Sequence, residues 1–270
     1  MKARYELLAP IAEGGLGTVF RALDRELGSE VAIKRLRPDP AKASAASLTS
    51  LLNEARRQSS LNSPHIVRMH AADMDEEGGY IVMELVRGET LEDRLSRGPM
   101  SGAEFDALVR QTLAGLGVAH EAGIIHLDLK PENIMLVPQP EGGMQVKILD
   151  FGLARELKLA APQTRPDTLQ GSIYFMAPEQ FENAPTDART DLYMLGCVFY
   201  YALTRQHPFE GDTKPQVMVA HLYHRTTALA QLRPDLPAAM VRWVEWLTSR
   251  QPVDRPASVA EALQAYPMGD

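Results

Sequence analysis

Four polar side chains at set intervals, His126, Asp128, Lys130 and Asn133, stand in one eight-residue stretch that also holds Pro131. The apolar runs Ile124-Ile125 and Ile134-Met135-Leu136-Val137 bracket it. Apolar runs of this length suit short buried strands. The pattern predicts a tight loop between two short buried strands, with polar groups held at the edge of a cleft. A hydrated surface loop is the plainer reading of the same residues. Pieces elsewhere in the chain decide between them.

At 270 residues, 45% hydrophobic and 23% charged, the chain can bury a sizeable core as one large domain or two lobes. A net charge of −7 argues against a nucleic-acid surface but not against a locally basic cleft for small anions. The single cysteine, Cys197, cannot form an internal disulfide, which points to a reducing cytoplasm. Lys2, Arg4 and Glu6 follow Met1 where a signal peptide would be apolar. The longest apolar run, Leu192 to Leu203, is too short to span a bilayer, so a soluble protein is expected.

Residues 1 to 37 alternate as strands do. Tyr5-Glu6-Leu7-Leu8-Ala9 and Thr18-Val19-Phe20-Arg21-Ala22 flank the glycine-rich Ile11 to Gly17, and Glu30 to Leu36 follow. Such a turn either brings backbone N–H groups against phosphate oxygens or is an ordinary hairpin with a flexible tip. Residues 38 to 45 read as a loop and Ala46 to Leu61 as a helix carrying Glu54 and, one turn on, Gln58. Strands are expected near 66–72 and 79–84, around the acidic turn Asp75 to Gly79. The chain then turns helical: a short helix from Thr90 to Arg97, and a long one opened by a Ser101/Glu104 capping box and running to about Ala122. A strand pair around Glu141-Gly142-Gly143 leads to Ile148-Leu149-Asp150-Phe151-Gly152. Beyond it come a buried helix from Thr186 to Leu203 and helices near 213–224, 238–250 and 258–265.

Taken together the motifs resemble the catalytic domain of eukaryotic-type serine/threonine protein kinases, most closely the bacterial members, over essentially the whole chain. His126-Leu127-Asp128 with Asn133 resembles the loop H-R-D-x-x-x-x-N, Ala12-x-Gly14-x-x-Gly17-x-Val19 the glycine-rich loop, and Val31-Ala32-Ile33-Lys34 the V-A-I-K strand. Asp150-Phe151-Gly152 and Ala177-Pro178-Glu179 resemble the ends of an activation segment, residues 150–179.

The resemblance implies an α+β, bilobal fold: a small, mainly antiparallel β N-lobe with one helix at 1–85, and a larger helical C-lobe at 86–270, joined by a hinge at 84–88. It implies transfer of phosphate from Mg-ATP to serine or threonine hydroxyls of a protein substrate, with Mn²⁺ as an alternative metal. Asp128 would orient the substrate hydroxyl and accept its proton, and Lys130 would steady the transferring group. Lys34, oriented by Glu54, would grip the inner phosphates, and Asn133 and Asp150 would hold the metal. The nucleotide site would comprise Ile11, Gly14, Gly17, Val19, Ala32, Lys34, Met83, Glu84, Val86 and Met135, with Met83 behind adenine. Asp191 would anchor the catalytic-loop backbone, and Glu179 would pair with Arg255. A dimer formed for autophosphorylation stays open. No nucleic-acid or membrane partner is implied.

Three residues depart from the pattern. Ala12 replaces the first glycine. Gln58 stands where an apolar residue would pack beside Met69, Phe151 and His126. Leu127 stands where kinases switched on by activation-loop phosphorylation carry Arg, and leucine cannot pair with a phosphate on Thr164 or Thr168. The catalytic loop is thus of the type without that arginine. Ser172 falls where the segment lines the substrate site. Competing readings are a nucleotide-binding pseudokinase or scaffold, a small-molecule kinase of similar fold, and a protein-interaction module. Absence of a thermal shift with nucleotide would mark the last.

Overall fold

The computed structural model describes residues 4–14, 17–36, 58–151 and 172–267. Five antiparallel strands build the N-terminal sheet: β1 (Tyr5–Gly14), β2 (Gly17–Asp24), β3 (Ser29–Leu36), β4 (Met69–Asp75) and β5 (Gly78–Glu84), in the order β1-β2-β3-β5-β4. The central strand β3 shows why alternation alone under-reads such a sheet. Val31 and Ile33 pack with Tyr5, Ala22, Tyr80 and Val82 on one face. Ala32 and Lys34 point the other way and are buried as well, because successive side chains on a strand leave on opposite faces. β1 is the edge, where Pro10 sits at a register shift; an edge strand tolerates a residue with no N–H to give. Gly17 is required at its position, since φ is 148° and a Cβ there would overlap the carbonyl oxygen of Arg35.

The C-terminal part is mainly helical. Its helices, among the described residues, are α1 (Leu91–Ser96), α2 (Gly102–Glu121), α3 (Pro178–Phe181), α4 (Ala188–Thr204), α5 (Lys214–Leu222), α6 (Leu229–Leu232), α7 (Ala238–Leu247) and α8 (Val259–Gln264). A small sheet pairs β6 (Glu89–Thr90), β7 (Ile134–Pro138) and β8 (Met144–Ile148) in that order. Helix α4 is buried from Thr190 to Leu203. A helix apolar on every side needs neighbours all round, and Phe105 of α2 and Trp243 of α7 both pack on its Phe199. The capping box of α2 forms: Glu104 N–H donates to Ser101 Oγ, and Glu104 Oε2 accepts from Ser101 N–H at 2.9 Å. Arg94 grips the same carboxylate through two 2.8 Å bonds, which holds its pKa down at about 2.

Several expectations are corrected. The loop at 126–133 has a strand on its C-terminal side only. Ile124-Ile125 is irregular, because the chain leaves α2 through Gly123 at φ 72° and Ile124 N–H caps the helix at Ala119 O. The strand expected from residue 66 starts at Met69; Ile66 makes only an isolated parallel bridge to Ile148. Helix α4 starts at Ala188, where Asp187 caps it by accepting from Arg189 N–H. Helices α5, α7 and α8 end two, three and one residues short of the boundaries read from sequence, and the single-turn α6 was not foreseen. The bilobal α+β architecture itself is as the resemblance implied.

Candidate active site

The loop at 126–133 is pinned from beneath by a fully buried carboxylate on α4. Asp191 accepts from the backbone N–H of His126 at 2.8 Å and of Leu127 at 2.8 Å, and from His120 Nε2 at 2.8 Å. Three donors compensate the burial of a charge that would otherwise be costly. They also hold Leu127 at φ 63°, a conformation a branched residue adopts only where its surroundings force it. Leu127 is itself buried, and its carbonyl accepts from Gln180 Nε2 at 3.1 Å.

His126 joins this loop to the segment carrying Asp150. Its Nε2 faces Leu149 O at 2.7 Å and its Nδ1 accepts from Asp128 N–H at 3.2 Å, which assigns the proton to Nε2. The ring packs on Phe151 with centroids 4.7 Å apart. Leu149 N–H donates to Asn133 O at 2.9 Å. Asn133, within the short 3-10 turn Pro131–Asn133, donates from Nδ2 to Asp128 O at 2.7 Å and to Asp128 Oδ2 at 3.1 Å. That leaves Asn133 Oδ1 as an acceptor. Lys130 Nζ lies 3.4 Å from Asp128 Oδ2 and donates to Ser172 Oγ at 2.9 Å.

From the N-terminal sheet, Lys34 of β3 donates to Asp150 Oδ2 at 2.6 Å. Burial alone would push the Asp150 carboxyl up, but the Lys34 ammonium outweighs it and holds the pKa below the ordinary carboxylate range. Asp150 also has a left-handed backbone, φ 54°. Five residues expected from sequence, Lys34, Asp128, Lys130, Asn133 and Asp150, are thus linked into one constellation by direct contacts or through His126 and Leu149.

Some of the remaining expected positions share the Lys34 face of the N-terminal sheet. Val19 pairs with Lys34, and Ala32 with Met83, across β2, β3 and β5. Ile11 is 51% exposed on the edge strand β1, and Gly14 and Gly17 face each other at its end. Glu84 N–H donates to Arg68 O at 2.9 Å, and its carboxylate holds Arg68 N–H and Lys147 Nζ. Among the described residues Val86 takes part in no backbone hydrogen bond. Met135 is half-buried on β7 beside Thr90. Glu54, Gly152, Thr164 and Thr168 lie outside the described residues. Gln58 meets Met69 and Phe151 around a cavity of about 20 Å³ that also touches Met83 and Asp150, and among the described residues its buried Nε2 has no hydrogen-bond partner.

Sequence reasoning missed the contacts of Lys130 with Ser172, of His120 with Asp191 and of Gln180 with Leu127. The partners stand 42, 71 and 53 residues apart, and no local pattern ties them. The expected pair of Glu179 and Arg255 is present, with bonds of 2.7 and 2.9 Å.

Asn133 Oδ1 and the Asp150 carboxylate are hard oxygen donors of the kind Mg²⁺ takes. Among the described residues no group of three His, Cys, Asp or Glu could hold a metal by itself. Two protein oxygens suit an ion whose other ligands are phosphates and water.

Residues 5–266 match the protein kinase domain family. Serine/threonine-protein kinase pkn3 of Myxococcus xanthus is 36% identical over 269 residues, 97% of this chain and 49% of that protein. A probable serine/threonine-protein kinase of Corynebacterium efficiens is 36% identical, covering 96% of this chain and 40% of its own length. Serine/threonine-protein kinase PknL of Mycobacterium tuberculosis is 34% identical, covering 94% and 63%. The chain therefore spans between about two fifths and two thirds of the length of these relatives. With that match and the two-part fold, the chain belongs to the protein kinase domain family.

Proposed function

We propose that this chain transfers the terminal phosphoryl group of ATP to serine or threonine hydroxyls of a protein substrate. The observation that carries this reading is the trio Asp128, Lys130 and Asn133, joined by mutual contacts and linked through His126 and Leu149 to the Lys34–Asp150 pair. Phosphoryl transfer needs positioning and charge neutralisation more than covalent chemistry, and this constellation supplies both.

Asp128 Oδ2, steadied by Asn133, takes the hydrogen bond of the incoming hydroxyl and then its proton. Lys130 sits beside it, one ammonium shared between that carboxylate and Ser172, where it meets the negative charge of the group in transit. Lys34 holds the inner phosphates, with Glu54 as its expected support. Asn133 and Asp150 would hold Mg²⁺, or Mn²⁺ in its place, which neutralises the charge of the triphosphate. Met83, Glu84 and Val86 form the adenine edge, with Ile11, Gly14, Gly17, Val19, Ala32 and Met135 around it.

Leu127 makes the transfer independent of a phosphate–arginine contact: the side chain at that position is apolar and buried. Cys197 is a buried free thiol whose burial pushes its pKa well up. No helix among the described residues is long and apolar enough to cross a membrane.

The test is transfer from radiolabelled ATP to a generic protein substrate by the wild type, Asp128→Ala and Asp150→Ala. Labelling by the wild type and a loss of a hundredfold or more in each variant is expected. Equal labelling by all three, or none by the wild type, refutes the reading. Nucleotide binding without transfer would identify a scaffold instead.

A further inference from the structure

Away from the phosphoryl-transfer residues, a groove of about 740 Å³ lies between the Ser172–Tyr174 turn and helix α5. One end of that turn reaches the phosphoryl-transfer centre, since Ser172 Oγ takes the bond from Lys130. The other end, Tyr174, forms part of the groove wall. The Tyr174 ring stacks on His207 at 4.0 Å, and His207 stacks in turn on Tyr201 at 4.7 Å. The wall is therefore a rigid aromatic shelf, continuous with the site where the acceptor hydroxyl must sit.

The floor is apolar, with Val219 and Ala220 of α5, while three charges stand on the rim. Glu210 and Asp212 precede α5, and Arg225 follows it. All three are exposed, and among the described residues none forms an ion pair. Nearby charges are paired within the chain: Arg233 with Asp235, Arg250 with Glu182, and Arg255 with Glu179. Arg225 only leans over Tyr223, at 5.6 Å. A partner carrying the opposite charges would meet two carboxylates at one end and a guanidinium at the other. Between them the groove follows α5 from Pro215 to Ala220, about 7.5 Å of helix, which two or three extended residues would span.

We propose that this groove docks a segment of the protein substrate away from the acceptor residue. A Lys or Arg of that segment lies against Glu210 and Asp212, its stem on the aromatic shelf, and an Asp or Glu two or three residues along lies toward Arg225. The proposal rests on the kinase reading and adds a substrate preference to it. A second copy of the chain is the weaker occupant: each copy carries a net charge of −7, whereas a basic substrate segment is drawn in.

The experiment is phosphorylation of a peptide library with one serine acceptor and a degenerate flank of about fifteen residues. It compares the wild type with the double variant Glu210→Lys/Asp212→Lys and with Arg225→Glu. The wild type is expected to select a basic position and an acidic one two or three residues away. The double variant should lose the basic selection, with kcat/KM on the selected peptide falling about tenfold through KM, and a peptide of reversed charge should recover the loss. A short acceptor peptide without the flank reads the transfer centre alone, and its kcat should agree within about twofold among the three enzymes.

Transfer by the wild type without flank selection, or selection unchanged in the variants, overturns the docking proposal and leaves the kinase reading standing. No transfer to any peptide or protein overturns both. A dimer in sedimentation that Glu210→Lys/Asp212→Lys abolishes, with peptide selection unaltered, assigns the groove to a second copy and overturns the proposal.

Discussion

Replacing Arg255 by methionine isolates what the buried ion pair of the C-terminal part contributes. The Arg255 side chain is fully buried and that of Glu179 is 5% exposed. The guanidinium donates to both Glu179 oxygens, at 2.7 and 2.9 Å, and to the carbonyls of Ser249, Arg250 and Arg189 at 2.7, 2.9 and 3.0 Å. Methionine fills much of the volume but leaves a buried carboxylate with the Thr190 hydroxyl, which donates to it at 2.8 Å, and its own backbone N–H. Removing one partner of such a pair costs about 3–5 kcal/mol, or on the order of 10 °C in Tm for a domain of this size.

The loss should depend on pH. Burial pushes the Glu179 carboxyl up, but in the wild type Arg255 outweighs it and the pKa lies below the ordinary 4.5. The wild-type contribution is thus fully present above about pH 4.5 and disappears as pH falls through the lowered value. Without Arg255 burial acts almost alone, and the folded-state pKa rises above the unfolded one. The variant then regains stability on acidification, by about 1.4 kcal/mol per pH unit while the carboxyl is neutral in the fold and ionised in the unfolded chain. Urea unfolding at about pH 8 and about pH 5 measures this. A loss under about 1 kcal/mol at the higher pH, or an equal loss at both, would refute the reasoning.

Gln58→Met replaces a buried amide whose Nε2 has no partner among the described residues, beside Met69 and Phe151, and should raise unfolding stability by about 1–2 kcal/mol; a lower urea midpoint would contradict it. Asp191→Asn turns one acceptor oxygen into a donor facing backbone N–H groups or His120. The loop loses its anchor, so kcat should fall about tenfold to a hundredfold while ATP affinity, read by titration, changes little. Thr164→Ala with Thr168→Ala should leave transfer to an exogenous substrate within about twofold, because Leu127 offers a phosphate nothing to bind; a large loss in a folded variant would count against that.

The family resemblance was legible because its chemistry is written in short local patterns. Val31 to Lys34 is recognisable as a strand with a lysine, His126 to Asn133 as a loop, and Asp150-Phe151 as the end of a strand. Periodicity and capping signals also placed most helices, since these depend on residues three or four apart. Ile124-Ile125 misled, because two apolar residues fit a buried loop as well as a strand. Helix ends drifted by one to three residues, because the last turn is set by what packs against it.

The sequence by itself determined which groups could meet a triphosphate: their types and their order along the chain were read without coordinates. Only the tertiary structure decided how they are held. The Asp191 carboxylate reaches back 64 residues to force Leu127 into a left-handed backbone, Lys34 finds Asp150 across 116 residues, and Lys130 finds Ser172 across 42. Such contacts leave no local signature, because buried polar atoms take whichever partner the packing of distant elements brings within about 3 Å.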